Sequence, residues 1–429
     1  MWLEVLVHSR RRCGAALRRW PLCAYLRWNG TSGKSMADST TAPEIRSSVI
    51  VIGGGPSGLV AAALLGGRNI DVTLVAPPPP EDPRTTALMQ GSLDVLAEIG
   101  IWPALAGDAA PLRQLRMVDA TRRLFRAPEL HFDAHEIGLD AFGWNIPNIR
   151  LSGVLRERLA AMPSVQVVSA KASALEPEET LVHVRLDDGR TAAAPLVVAA
   201  DGRRSLGRQA AGVSSRSWQY RQTALALNLR HDRPHGDVST EFHTESGPFT
   251  LVPLPGQRSS LVAVLRPEDA ERLRQLDDDL LGAELTRRSH NLLGRIMPDG
   301  PRGAFPLGAS VVRAFGANRV ALVGEAAHVL PPIGAQGLNL GLRDAATIAN
   351  SAAQALAEGR DPGAPALLDA YGSARKRDVW PRTLAVDALN RSLLAGLLPA
   401  DLVRSVGLRL VAGVRPVRAF AMRAGIGSA

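Results

Sequence analysis

Residues 48–76 read SVIVIGGGPSGLVAAALLGGRNIDVTLVA, and they decide the fold. A short apolar run, Val49 to Ile52, stops at three glycines. Pro56-Ser57-Gly58 follows, then an alanine- and leucine-rich helical pattern from Leu59 to Leu65, then a second β-branched run, Val72 to Val75. Strand, glycine-rich turn, helix, strand is a βαβ unit with GxGxxG at its first turn. Each glycine has its own task. Gly53 permits the tight turn, Gly55 leaves room for a pyrophosphate against the backbone, and Gly58 lets helix and strand pack closely. The free amides at the helix start, from Ser57 on, with Pro56 setting the first turn, then face a dinucleotide phosphate. The acid expected about 20 residues on, for the adenosine ribose, is missing. Ala76 stands there, followed by prolines, which leaves Glu81, Asp82 or Arg84 for that contact.

Outward from this unit the chain is ordinary globular material, with 429 residues, 46% of them hydrophobic and 21% charged. No apolar run is long enough for a spanning helix. The two cysteines, Cys13 and Cys23, both lie in the N-terminal tail. The body therefore has no disulfide framework and no cysteine-based metal site, and no metal site is expected elsewhere. Of the net charge of +9, the first 35 residues carry +6, seven basic residues against Glu4. Residues 1–46 are read as a basic, disordered or non-native extension with Met36 as the start. A targeting segment or membrane-surface arm is the other reading. With 4% aromatic residues and no stacking pattern, nucleic-acid binding is not expected.

The pattern along the chain predicts an α/β protein. A helix is expected up to Glu98, stopped by Gly100, with strands at Leu115–Asp119 and Leu124–Arg126 and a helix at Ile149–Ala161. Strands follow at Val165–Ser169, Val182–Leu186 and Ala192–Pro195, and a buried one at Leu196–Ala200 that ends at Asp201-Gly202. Thr223–Leu229, Val238–His243, Phe249–Leu254 and Ser260–Leu265 read as antiparallel strands, and Ala270–Asn291 as helix. Another short buried strand, Arg319–Val323, ends at Gly324-Glu325, and Leu338–Leu356 is helical.

Two stretches besides the first look like sites. One is Asp201-Gly202-Arg203-Arg204-Ser205. The other is Gly324-Glu325-Ala326-Ala327-His328 with Pro331-Pro332-Ile333-Gly334-Ala335-Gln336-Gly337-Leu338-Asn339. Each puts an acid just past a buried strand, where doubly wound sheets bind ligands. Together with Gly53–Gly58 they resemble the three fingerprints of class A FAD-dependent aromatic monooxygenases of the para-hydroxybenzoate hydroxylase type. In detail they are most similar to the ubiquinone-biosynthesis hydroxylases. DPRTTAL (Asp82–Leu88), FGWNIPN (Phe142–Asn148), QTAL (Gln222–Leu225), GPFTLVPLP (Gly247–Pro255), RSSLV (Arg258–Val262) and GLRDA (Gly341–Ala345) support the resemblance, which spans Ser47 to the C-terminus.

The resemblance implies a Rossmann-like FAD-binding domain at 47–216 and 316–380, an inserted mixed or antiparallel substrate sheet at 217–315, and C-terminal helices at 381–429. It implies FAD, O₂, and NAD(P)H or another electron donor. It also implies hydroxylation of a polyprenylated phenol in ubiquinone biosynthesis through a flavin C4a-hydroperoxide. The cofactor residues it implies are Gly53, Gly55, Pro56, Ser57, Gly58, Arg84, Asp201, Gly324, Glu325, Pro332, Gly334, Gln336, Gly337, Leu338 and Asn339. Pro332, Gly334 and Gln336 would line the ring site. No side chain is assigned a catalytic role, and His328 is read as structural. The sequence departs from the family pattern at Glu325, where Asp is usual, and in the order Gly334-Ala335-Gln336-Gly337, where Ala-Gly-Gln-Gly is more frequent.

The expected partners are the phenol, a biosynthetic complex, further copies of the chain, and a membrane surface met by the Leu- and Arg-rich stretch Ser392 to Gly427. That stretch packed on the FAD domain is the other reading. The expected location is cytoplasmic, peripheral on the inner membrane face, or the mitochondrial matrix in a eukaryote. A hydroxylase of a soluble aromatic or polyketide, and a non-catalytic flavoprotein-like scaffold, are the alternative functions.

Overall fold

A computed structural model describes residues 43–78, 82–121, 128–394 and 415–426. The expected strand Leu124–Arg126, the candidate Glu81 and most of the stretch Ser392 to Gly427 lie outside them.

The apolar runs form the centre of a six-stranded sheet. Its order is Gly316–Ala317, Val320–Leu322, Leu196–Ala199, Val49–Ile52, Val72–Val75 and Val165–Val168. All neighbours run parallel except the first pair, which is antiparallel. Every residue of Val49–Ile52, Val72–Val75 and Leu196–Ala199 is buried, as continuous β-branched runs require when helices cover both faces. Helix Pro56–Gly66 is buried from Gly58 to Gly66 and packs on helix Gln336–Ala357. Because the strands are parallel, Gly53, Ala76, Asp201 and Gly324 all emerge at one edge of the sheet, just past the strand ends. That edge is the site.

A second, nine-stranded sheet is built on the long strand Ser215–His231, flanked by Gly303–Val312 and Arg258–Leu265. Gly247–Leu254, Val238–Thr244, Gln114–Asp119 and Leu130–Asp133 continue it, so strands from outside 217–315 join it. The helix expected over Ala270–Asn291 is two helices, Pro267–Gln275 and Asp278–Arg288. Asp277 accepts a hydrogen bond from Leu280 N at 2.8 Å and so starts the second as its cap. These helices close one face, against Leu225, Leu227, Leu229, Phe249, Leu251 and Leu261.

The register gives the opposite face its rows. One row reads Phe305, Ala224, Val264, Pro248, His243 and Asp119 across the strands. The next reads Gly303, Ala226, Val262, Thr250, Glu241 and Met117. A third holds Asn228, Ser260, Val252, Ser239 and Leu115. This face looks towards a small three-stranded sheet of Thr85–Met89, Gly143–Pro147 and Ala110–Pro111. Thr85 Oγ1 meets Ser260 Oγ at 2.8 Å, and Asn145 Nδ2 donates to Pro253 O at 2.8 Å. Ahead of the helix expected up to Glu98, Thr85–Met89 is a strand paired with Gly143–Pro147. The helix proper is Gln90–Ile99, and Gly100, at φ 81°, ends it in the left-handed region.

Candidate functional site

The turn after Val49–Ile52 is shaped by what lies behind it. Gly53 has φ 109°, and a Cβ there would overlap Ala200 O. A Cβ at Gly58 would overlap Gly53 O. At Gly55 no protein atom lies within 4 Å of the Cβ position. So two glycines close the turn and the third leaves its front open. Helix Pro56–Gly66 has no side-chain cap and no acid in its first turn, which leaves its leading amides facing that opening. These are the features a dinucleotide pyrophosphate needs, and the site fits FAD on this observation.

The three motifs meet here. Gly58 abuts Ala200, next to Asp201. Ser57 is wedged between Gly324 and Gly341, where a Cβ on Gly341 would overlap its Oγ. Asp201 Oδ2 accepts from Leu206 N at 2.7 Å and Gly207 N at 3.1 Å, tying the strand end to the next turn, while its Oδ1 is buried without a partner. Glu325 sits in the turn Gly324–Ala326 and pairs at 3.2 Å with Arg203, both about half exposed. Arg84 is paired with Asp82 at 2.7 Å and lies 5.1 Å from the Phe305 ring centroid. Its hydrogen bond to Asp82 holds its pKa up against the effect of burial, and nearby Glu325 adds to this.

Beside Ala76 stands a residue the sequence did not bring forward. Arg156 Nη2 donates to Gly54 O at 3.1 Å, and its Nε is buried without a partner. Asp82, one candidate for the ribose, is committed to Arg84 and to Asn148 Nδ2 at 2.9 Å.

The loop before helix Gln336–Ala357 presents Pro332, Gly334 and Gly337 to solvent, with Leu338 half-buried. The helix start has no side-chain cap, and Ala335 holds φ 52°, ψ 31°. Gln336 turns inward, and its Nε2 donates to Gly334 O at 2.9 Å and to Gly425 O at 3.2 Å. Asn339 is also turned inward. Its Oδ1 accepts from Met89 N at 2.8 Å and Ser92 Oγ at 2.7 Å, and its Nδ2 donates to Ala87 O at 2.9 Å. Asn339 thus fastens the loop to strand Thr85–Met89. His328 is wholly buried, with Nε2 2.6 Å from Asp344 Oδ2 and Nδ1 without a partner. Asp344, within GLRDA, is a hub that the sequence did not reveal.

The FAD binding domain family matches residues 46–384. The chain belongs to this family. It is an FAD-dependent monooxygenase, similar over most of its length to proteins of that activity. Ubiquinone hydroxylase UbiL of Rhodospirillum rubrum is 36% identical over 348 residues, covering 81% of this chain and 80% of that protein. The 3-demethoxyubiquinol 3-hydroxylase of Escherichia coli is 29% identical, covering 76% and 83%. Among solved structures, p-nitrophenol 4-monooxygenase PnpA from Pseudomonas putida superposes with a TM-score of 0.74 at 20% identity, covering 90% of this chain and all of that one. That likeness is one of fold, and it fits a Rossmann-type FAD domain joined to a large β-sheet.

Proposed function

We propose that this monooxygenase hydroxylates the aromatic ring of a polyprenylated phenol in ubiquinone biosynthesis. The observation that carries the reading is the 36% identity to a ubiquinone hydroxylase along four fifths of both chains. When bound, FAD supplies the two-electron redox chemistry and the oxygen activation that the 20 side-chain types lack.

The chain's own residues bind and orient. Gly53, Gly55 and Gly58 let a pyrophosphate reach the amides of Pro56–Gly66, with Ser57 fixing the approach of the second helix. Glu325, at the end of strand Val320–Leu322, would hydrogen-bond the ribityl chain. Its extra methylene relative to Asp is accommodated by its exposed position. Asp201, with one free oxygen, and Arg84 complete the rim. Pro332, Gly334 and Gly337 offer backbone and a flat proline to the flavin ring, and the uncapped helix start at Gln336 and Leu338 directs its amides there. Gln336 and Asn339 act by holding that loop in shape. The alanine and valine rows of the large sheet give the substrate ring a dry floor, and exclusion of water protects an activated oxygen from being wasted.

The prenyl tail calls for a lipid-facing side. Helix Arg415–Ile426 exposes Phe420 (74%) and Val417 (42%) beside Arg415 and Arg423, a face suited to an anionic membrane surface. Among the described residues no helix is long and apolar enough to cross a membrane.

The test is turnover by the FAD-loaded chain, with electron donor and O₂, on phenols that differ only in prenyl length. Efficient hydroxylation that rises with prenyl length supports the reading. Equal turnover of unprenylated phenols would move it to a soluble aromatic substrate.

A further inference from the structure

Among the described residues, the open face of the large sheet carries an acid–imidazole pair beside its apolar rows. Glu241 and His243 lie two apart on strand Val238–Thr244, so their side chains leave on the same side. His243 Nε2 is 2.8 Å from Glu241 Oε1, and Thr250 Oγ1 donates to Glu241 Oε2 at 3.2 Å. The side chains are 7% and 19% exposed, so the pair works in a largely water-free setting. With Nε2–H given to the carboxylate, the imidazole keeps its Nδ1 lone pair free, and among the described residues Nδ1 has no partner. The other acids near it are Asp119 on the adjoining strand, whose Oδ1 already accepts from Thr121, and Glu245 in the following turn.

Position makes the pair more than a packed histidine. Leu115, one row from Glu241 and two from His243, packs in a cluster with Met89 of strand Thr85–Met89 and Ala335 of the loop before helix Gln336–Ala357. Rows on one face are roughly 7 Å apart. The pair therefore borders the apolar floor on the side where a ring would lie under that loop. Tyr220, packed against Ala224 and Val264 of this face, already donates to Asp387 Oδ1 at 2.6 Å, and burial pushes its pKa to about 12. It stays protonated and is not the base.

We propose that Glu241 and His243 are the proton-accepting pair for the substrate's phenolic hydroxyl. This rests on the ring-hydroxylation reading above. The phenol O–H bond breaks and its proton passes to His243 Nδ1. The electron pair stays on the phenolic oxygen, and the imidazolium is held against the Glu241 carboxylate. The phenolate so formed is richer in electrons at the ring carbons and more open to attack by an electrophilic oxygen.

The experiment uses the full, FAD-loaded chain with 4-nitrophenol as probe, whose phenolate absorbs apart from the phenol, at a pH where the free probe is mostly protonated. The wild type should bind it as phenolate. His243→Leu should bind it as phenol and hydroxylate a prenylated phenol about 10²-fold more slowly. Glu241→Gln, nearly isosteric, should show the same loss of ionisation and covers the case in which the leucine variant does not fold. Variants that ionise the probe as the wild type does would overturn the pair's role and leave the phenol reading standing. A wild type that binds neither 4-nitrophenol nor a prenylated phenol would remove the phenol reading and the pair with it.

Discussion

His328 Nε2 lies 2.6 Å from Asp344 Oδ2, and neither side chain has any solvent exposure. The same carboxylate accepts from Gly324 N at 2.9 Å and from Arg375 Nε at 2.6 Å. One buried charge thus joins the strand end that carries Glu325, the loop that follows, and helix Pro365–Leu394. Burial alone would raise the Asp344 pKa, but His328 and Arg375 outweigh it and hold the carboxyl below its ordinary 3.8. Stability from this group is therefore fully present above about pH 5 and is lost as pH falls through the lower folded value.

Asp344→Asn takes the buried carboxylate away from His328 and Arg375 and leaves Arg375 its pair with Asp378. It should cost about 3–5 kcal/mol at pH 7. Thermal melting from pH 7 down to pH 3 checks this. The wild-type midpoint should drop more steeply below about pH 4 than that of the variant.

Gly55 and Gly58 separate folding from cofactor binding. Gly55 has φ −74° and open space at its Cβ position, whereas a Cβ at Gly58 would overlap Gly53 O. Gly55→Ala should melt within about 0.5 kcal/mol of the wild-type apoprotein but hold FAD more weakly. Gly58→Ala should lose both. Differential scanning fluorimetry and flavin fluorescence titration read the two effects.

Ala335 occupies the left-handed region with a Cβ that region disfavours, at the start of helix Gln336–Ala357. Ala335→Gly should stabilise the chain by about 1 kcal/mol. A lower melting midpoint in the variant would mean that the methyl group's packing in the cluster with Met89 and Leu115 outweighs the backbone strain.

Glu325→Gln removes a charge whose visible partner, Arg203, is exposed, so the apoprotein should change by less than about 1 kcal/mol. If the carboxylate holds the ribityl chain, the FAD Kd should rise by roughly 10- to 100-fold, the worth of one charged hydrogen bond. An unchanged Kd would assign Glu325 to the surface.

The sequence made the parallel sheet legible because Val49–Ile52 and Leu196–Ala199 are unbroken apolar runs that end at glycine or acid. Thr85–Met89 was not legible as a strand. Its partner, Gly143–Pro147, lies more than 50 residues away, and its own pattern does not alternate. Asp344 looked like one more helical acid because its counter-charges come from residues 16 before it and 31 after it. His243 pairs with Glu241 only two residues away, but nothing around it in the sequence marks the pair as a site. The signal that could have found it is the alternation of Ser239, Glu241 and His243, which puts all three on one face of the strand. Gln336 and Asn339, both turned inward, hold the loop in shape through hydrogen bonds to Gly334 O, Gly425 O and strand Thr85–Met89, which their place in the motif did not reveal.

The most direct measurement is mass spectrometry of the product formed from a prenylated phenol by the FAD-loaded chain under ¹⁸O₂ in ordinary water. The account predicts a ring-hydroxylated product carrying one ¹⁸O atom. An unlabelled hydroxyl, or reductant consumed to give only hydrogen peroxide with no hydroxylated phenol, would contradict it.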